Sequence, residues 1–331
     1  MKGRLENSLK RKQSIQRLLK DMPDYVTDYY YKIQPSTESL TCYIYLGRIR
    51  HFLETVNKDI SKINETDIGR YLEKLSCTTD RNGNIRKTSH SYEQQTWTIL
   101  NQFFEYLKYK NIVQKNPVSV IKRSRKKDVI ERNFLSMEDL NKILDAAYDG
   151  AGNSLAKARQ SKWRERDILI LFLFMSTGVR KTAVSEINIE DVSLDEHCIY
   201  VTDKRDKVHN YILTNEMEEV LLKWLFKREE LLNGKKCDAL FISKNLERLS
   251  ANGIYDIVKK YSKEALGHSI SPHKLRSAFI SLYYEASGHD IDATREAVGH
   301  TNVATTSRYI VRKNNARAEA AAFMSSNLSR R

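Results

Sequence analysis

Six side chains in the C-terminal half of this 331-residue chain could together transfer a phosphodiester without a metal ion: Arg180, Lys204, His273, Arg276, His300 and Tyr309. A tyrosine hydroxyl gives up its proton only near pH ~10. As a nucleophile, Tyr309 therefore needs neighbours that accept the proton and stabilise a pentacoordinate phosphorane. Arg180 and Arg276 suit the second task, because a guanidinium presents a planar fork of donors that matches two phosphate oxygens at once. Lys204 could protonate the leaving 5′-oxygen if desolvation and nearby cations lower its pKa. His273 and His300 complete the set as proton shuttle and phosphate donor. Each residue is weak alone, since the chain holds 18 tyrosines and a lysine in a polar hairpin is ordinarily a solvated tip. Their joint order is what points to one site.

The elements that must position them are legible. Ser271 reads as a helix N-cap with Pro272 at the first helical position, which puts His273 and Arg276 three residues apart on one helical face. Arg180 follows an apolar run, Ile168 to Met175, that reads as a buried helix ending near Gly178. Strands around Cys198–Val201 and Tyr211–Leu213 flank a hairpin tip from Asp203 to His209, and another short strand is expected over Ala239–Ile242. Ser136, with Glu138 and Asp139 in its first turn, opens a further helix.

In the N-terminal part, residues 1–35 form a charged, tyrosine-rich leading segment broken at Pro23 and Pro35. Two apolar stripes follow at helical spacing: Leu46, Ile49, Phe52, Leu53 and Val56, then Ile99, Leu100, Phe103, Phe104 and Leu107. A loop is expected at Asp80-Arg81-Asn82-Gly83-Asn84. Asn116-Pro117 ends the first domain. The segment KRSRKKDVIERN, residues 122–133, carries six basic against two acidic residues without apolar periodicity and reads as a linker. The expected organisation is thus an N-terminal helical domain over 1–121, a basic linker over 122–133 and a catalytic domain over 134–331.

The stretches SPHKLRSAF and VGHTNVATTSRYI resemble the second conserved box of the tyrosine recombinases, the family of phage integrases, Cre and the Xer proteins. Ser176-Thr177-Gly178-Val179-Arg180 resembles the first box, and VTDKRDKVHNYIL is similar to the β-hairpin that carries the family's catalytic lysine. That register selects Lys204, not Lys207. From Thr41 to Leu75 and from Thr88 to Pro117 the chain is similar to the helical core-binding domain of Xer-type and transposon integrases, so the resemblance spans nearly the whole chain. It implies a mainly α fold with a small antiparallel β-sheet, a core-binding domain followed by a mixed α/β catalytic domain. It also implies attack by Tyr309, a 3′-phosphotyrosyl intermediate, and strand exchange without ATP, metal or other cofactor. The implied partners are double-stranded DNA with inverted-repeat core sites and a homotetramer joined by exchange of the C-terminal tail, Ala316–Met324 within it, with room for accessory DNA-bending factors. Lys122, Arg123, Arg125, Lys126 and Lys127 would lie against phosphates. Two departures stand out. Ala183 occupies the position, three residues after Arg180, where the family usually has Glu or Asp, and Ser277 follows Arg276 where histidine is frequent. Glu186, six residues after Arg180, could partly substitute for the missing acid from a different helical position, and that role is left unassigned.

A formal net charge of +14 agrees with a polyanionic partner. Cys42, Cys77, Cys198 and Cys237 form no CxxC pair, which argues against a zinc site or a disulfide framework. No apolar run approaches the length of a membrane span, and MKGRLENSLKRK lacks a signal core, so a bacterial cytoplasmic, nucleoid-associated protein is expected. A type IB topoisomerase and an accessory DNA-binding protein with dead chemistry remain as alternatives. A metal-dependent nuclease or an ATP-driven transposase has neither a carboxylate cluster nor a phosphate-binding glycine loop to stand on.

Overall fold

The computed structural model describes residues 2–79, 83, 85–124, 135–203, 207–299, 302, 306 and 307. The chain divides into two compact units, Arg4–Arg132 and Asn133–Arg331, the second also counting Met1–Gly3. The described residues are mainly helical with small antiparallel sheets.

The first unit holds α1 (Lys2–Leu19), α2 (Asp24–Ile33), α3 (Ser39–Val56), α4 (Glu65–Leu75), a hairpin of β1 (Cys77–Thr79) and β2 (Ile85–Lys87), and α5 (His90–Tyr109). Helix α4 starts at a capping box, with the Asn64 side chain accepting from Asp67 N–H and the Asp67 carboxylate accepting from Asn64 N–H. Both expected stripes turn inward: Leu46, Ile49 and Phe52 of α3 and Ile99, Leu100, Phe103, Phe104 and Leu107 of α5 are buried. Phe52 meets Tyr71 and Phe104 edge-on at 5.0 and 5.8 Å.

The charged, tyrosine-rich leading segment of residues 1–35 contributes helices α1 and α2 to the core. Pro23 caps the start of α2, and Ile15, Leu19, Val26, Tyr29 and Tyr30 are all buried in this core. Their apolar spacing is masked in the sequence by the charges between them. The loop expected over 80–84 falls between β1 and β2, and Asp80, Arg81, Asn82 and Asn84 lie outside the described residues. Beyond Asn116-Pro117 the chain still packs on α5, for Val118 is buried and the Trp97 indole donates to the Ile121 carbonyl at 3.0 Å.

The second unit runs through α6 (Met137–Asp149), α7 (Ser154–Gln160), α8 (Arg164–Thr177), α9 (Lys181–Glu186), β3 (Val192–Ser193), β4 (Cys198–Thr202), β5 (Val208–Ile212), α10 (Asn215–Leu232), α11 (Ala251–Leu266), α12 (Pro272–Ala286) and α13 (Ile291–Ala297). Ser136 opens α6 in a capping box with Asp139, as its spacing predicts. Helix α8 is apolar nearly all round because it is the central helix: Ile168, Leu169, Ile170, Leu171, Leu173 and Phe174 are all buried. The one buried carboxylate on it is compensated. Asp167 accepts from Arg166, from Lys260 at 3.0 Å and from the Tyr261 hydroxyl at 2.9 Å, locking α8 to α11.

Strands β3, β4 and β5 form an antiparallel sheet in that order. Two expectations are corrected here. Strand β5 begins at Val208, so Val208 and His209 belong to the strand and not to the hairpin tip. Residues 239–242 form no strand; they make isolated bridges, Asn188 to Ala239 and Ile242 to Arg248, while α10 covers them by a bond from the Trp224 indole to the Leu240 carbonyl. Among the described residues no helix is long and apolar enough to cross a membrane.

Candidate active site

Arg180 is delivered by the way α8 stops. Gly178 takes the left-handed conformation at φ 60° and returns its N–H to the Phe174 carbonyl at 3.0 Å, so the chain turns sharply and Arg180 becomes the N-cap of α9. Glycine is required there twice over, because a Cβ would also stand 2.6 Å from the Phe279 ring of α12.

Arg276 is tied to the same turn from the other side. It is buried on α12, and its guanidinium donates to the Gly178 carbonyl and, at 3.1 Å, to the Val298 carbonyl just beyond α13. These bonds use two of its five N–H donors and fix the plane of the fork. Pro272 occupies the first position of α12 as expected, but the Ser271 side chain at the N-cap accepts no capping bond. His273 sits in that first turn and still reaches solvent. Partial loss of hydration, reinforced by the positive charges of Arg276, Lys274 and Arg180, holds its imidazole below the ordinary histidine value. Arg180, His273 and Arg276 are therefore within electrostatic reach of one another.

The β4–β5 hairpin closes over this group. The Asp203 N–H donates to the Lys207 carbonyl at 2.7 Å, which extends the pairing of the two strands beyond Thr202 and Val208. The Asp203 carboxylate forms an ion pair with the Arg180 guanidinium, with side chains 10% and 29% exposed. Ala183, where the family's acid is missing, is buried on α9. The carboxylate on Arg180 thus comes from a different element. Lys204 is the next residue in the chain after Asp203; it lies outside the described residues, as do His300 and Tyr309.

Two residues of this site were not among the six. Asp203 is 23 residues from Arg180, and no local pattern links them. His209 faces inward on β5, where loss of hydration and the charges of Lys207, Arg180 and Arg276 push its imidazole down. No apolar alternation in the sequence signals it, since the outward residues of β5 include Val208 and Ile212, 60% and 64% exposed, while the inward ones are His209 and Tyr211.

Of the linker cations, Lys122 and Arg123 are exposed on the first unit, and Arg123 lines a pocket of about 390 Å³ with Tyr45, Ser91, Gln94, Gln95 and Thr98. Arg125, Lys126 and Lys127 lie outside the described residues, and so does the tail from 308 onward.

Comparison with known proteins gives the same frame. The chain is 29% identical over 239 residues to tyrosine recombinase XerC of Alcanivorax borkumensis, covering 72% of this chain and 73% of that one. The XerH site-specific recombinase bound to its difH substrate superposes with a TM-score of 0.63 at 22% identity, covering 91% of this chain and 84% of XerH. A lambda integrase tetramer bound to a Holliday junction superposes at 0.61 with 18% identity, over 86% of this chain and 76% of that one. A model of the phage integrase family matches residues 133–316. The chain belongs to that family, the tyrosine recombinases.

Proposed function

We propose that this protein is a site-specific recombinase that cuts and rejoins DNA through Tyr309. The observation that carries the proposal is the meeting of Arg180, His273 and Arg276 around one turn, with the hairpin of Lys204 anchored to Arg180 through Asp203. Arg180 and Arg276 bracket the non-bridging oxygens of the scissile phosphate, where charge accumulates in the transition state. The Tyr309 oxygen attacks phosphorus and forms the 3′-phosphotyrosyl bond as the bond to the 5′-oxygen breaks. Lys204 gives its proton to that leaving oxygen, and His273 and His300 serve as proton shuttle and phosphate donor. A 5′-hydroxyl of the partner duplex then attacks the phosphotyrosyl bond, restoring the phosphodiester and releasing tyrosine. The bond energy stays in the covalent intermediate, so the exchange needs no nucleotide cofactor.

In the same proposal residues 1–121 form the core-binding domain, and Lys122, Arg123, Arg125, Lys126 and Lys127 neutralise phosphates between the two domains. The substrate is a duplex with inverted-repeat core sites in the nucleoid of a bacterial cytoplasm. Four protomers assemble on paired sites through exchange of their tails, with accessory DNA-bending factors where a particular site needs them. The experiment is recombination of a plasmid bearing two copies of the repeats that flank the gene. Exchanged products are expected; supercoil relaxation without exchange would mark a topoisomerase, and binding without any covalent adduct would mark an accessory protein.

A further inference from the structure

We propose that His209 is a further phosphate-binding residue of this site, donating from imidazole Nε2 to a non-bridging oxygen of the phosphate held by Arg180 and Arg276. The proposal rests on the recombinase reading and adds a residue to it.

Strand register puts the ring on the site side of the hairpin. His209 pairs with Val201 and Tyr211 with Ile199; both β4 partners are buried, so this face of β5 turns inward while Val208, Asn210 and Ile212 are exposed. Tyr211 stacks on the imidazole with ring centroids 6.2 Å apart and planes 28° apart, which holds its orientation.

The ring has been given space at the expense of its neighbour. A Cβ on Gly299 would lie 2.6 Å from His209 Cε1 and 2.7 Å from Nε2, and Gly299 has a φ of 67°, so only glycine fits beside the imidazole. Gly299 directly follows Val298, whose carbonyl receives Arg276. The imidazole, the Gly299 backbone and the Arg276 guanidinium are therefore consecutive along one wall of the site.

Against that wall His209 Nε2 is buried and has no hydrogen-bond partner among the described residues. A buried polar atom without a partner is rare and costly in native proteins, and near a functional centre it marks a group whose partner arrives with the ligand. The ligand here is anionic, since Arg180 and Arg276 both act on this ring. Loss of hydration and the charges of Lys207, Arg180 and Arg276 disfavour the imidazolium, and a neutral imidazole can add a donor to the phosphate without adding another like charge beside the two arginines.

The test uses the full-length protein and a nicked suicide duplex, with His209 changed to Phe, Asn or Gln. A glutamine amide reaches about where Nε2 stands, an asparagine amide only to the nearer ring nitrogen, and phenylalanine keeps the ring alone. Single-turnover cleavage is expected to slow by at least ~10-fold in H209F and H209N, as for loss of one preorganised donor, with H209Q within about 3-fold of the native protein. Half-site binding and thermal stability are measured beside it. The deficit should shrink to about 2-fold or less on the methylphosphonate diastereomer that replaces the contacted oxygen. Native-rate cleavage by H209F, or a deficit of equal size on the phosphate and on both diastereomers, would overturn the proposal. If H209F does not fold, the comparison of H209Q with H209N decides in the same way. Absence of any covalent adduct with the native protein would instead count against the recombinase reading itself.

Discussion

Replacing Asp203 with alanine takes the carboxylate away from Arg180 while leaving the arginine in place. At an effective dielectric near 20, a contact ion pair carries about 4 kcal/mol of Coulomb attraction. Desolvation of two side chains that are only 10% and 29% exposed cancels a good part of it. A net loss of about 1–2 kcal/mol remains, and if it falls on the orientation of Arg180 in the transition state, cleavage slows about 5–30-fold. Arg180→Ala should be worse, about 100-fold or more, because the donor itself is gone. Asp203→Asn keeps an acceptor and should fall between native and D203A. The assay is single-turnover covalent trapping on nicked duplex, with half-site binding measured in parallel. Because Asp203 acts through Arg180, R180A/D203A should be no slower than R180A. Cleavage by D203A at or above the native rate would refute the reasoning, since the carboxylate would then be a resting counterion that the phosphate displaces.

A general acid becomes unnecessary when the leaving group is already good, so Lys204→Ala should be severely slow on ordinary DNA and largely rescued by sulfur at the 5′-bridging position; selective rescue of Lys207→Ala instead would show that the register of the hairpin lysine is wrong. The folded protein holds His273 and His209 below the ordinary histidine value of about 6.5, so the unfolded chain binds more protons just below that pH. Stability is then full above about pH 6.5 and falls as the pH drops toward the folded values, which a thermal melt series from pH 7.5 to 5.5 should show, with a shallower fall in His273→Gln. Deleting residues 316–331 should leave single half-site binding nearly intact and weaken cooperative occupancy and synapsis, because a short apolar tail needs a partner surface to hold a helix; gel-shift titrations on one-site and two-site DNA measure this, and undiminished synapsis would exclude the tail as the link between protomers.

The parts of this molecule that were legible in the sequence are those written in local signals. Gly178 stops α8 and so presents Arg180, and Pro272 starts α12 and so sets His273 and Arg276 on one turn. The stripes of α3 and α5 needed only helical periodicity to read. What escaped depended on register or on distance in the chain. Starting β5 at Val208 turns His209 from a hairpin tip into an inward-facing strand residue, and a shift of one residue would have reversed its face. The partner of Arg180 could not be found near Ala183 because it is Asp203, across the hairpin. In the N-terminal unit, Ile15 and Leu19 belong to the core although the charges around them resemble those of a solvated segment.

The most direct measurement is peptide mapping of the covalent complex. The native protein is trapped on a nicked duplex carrying its own site, digested with protease and nuclease, and the nucleotide-bearing peptide is sequenced by mass spectrometry. With Tyr309 as nucleophile, the 3′-phosphate is found on the peptide containing Tyr309, and Tyr309→Phe binds the same DNA yet yields no adduct. A phosphotyrosyl bond on any other tyrosine, or undiminished adduct with Tyr309→Phe, would contradict it.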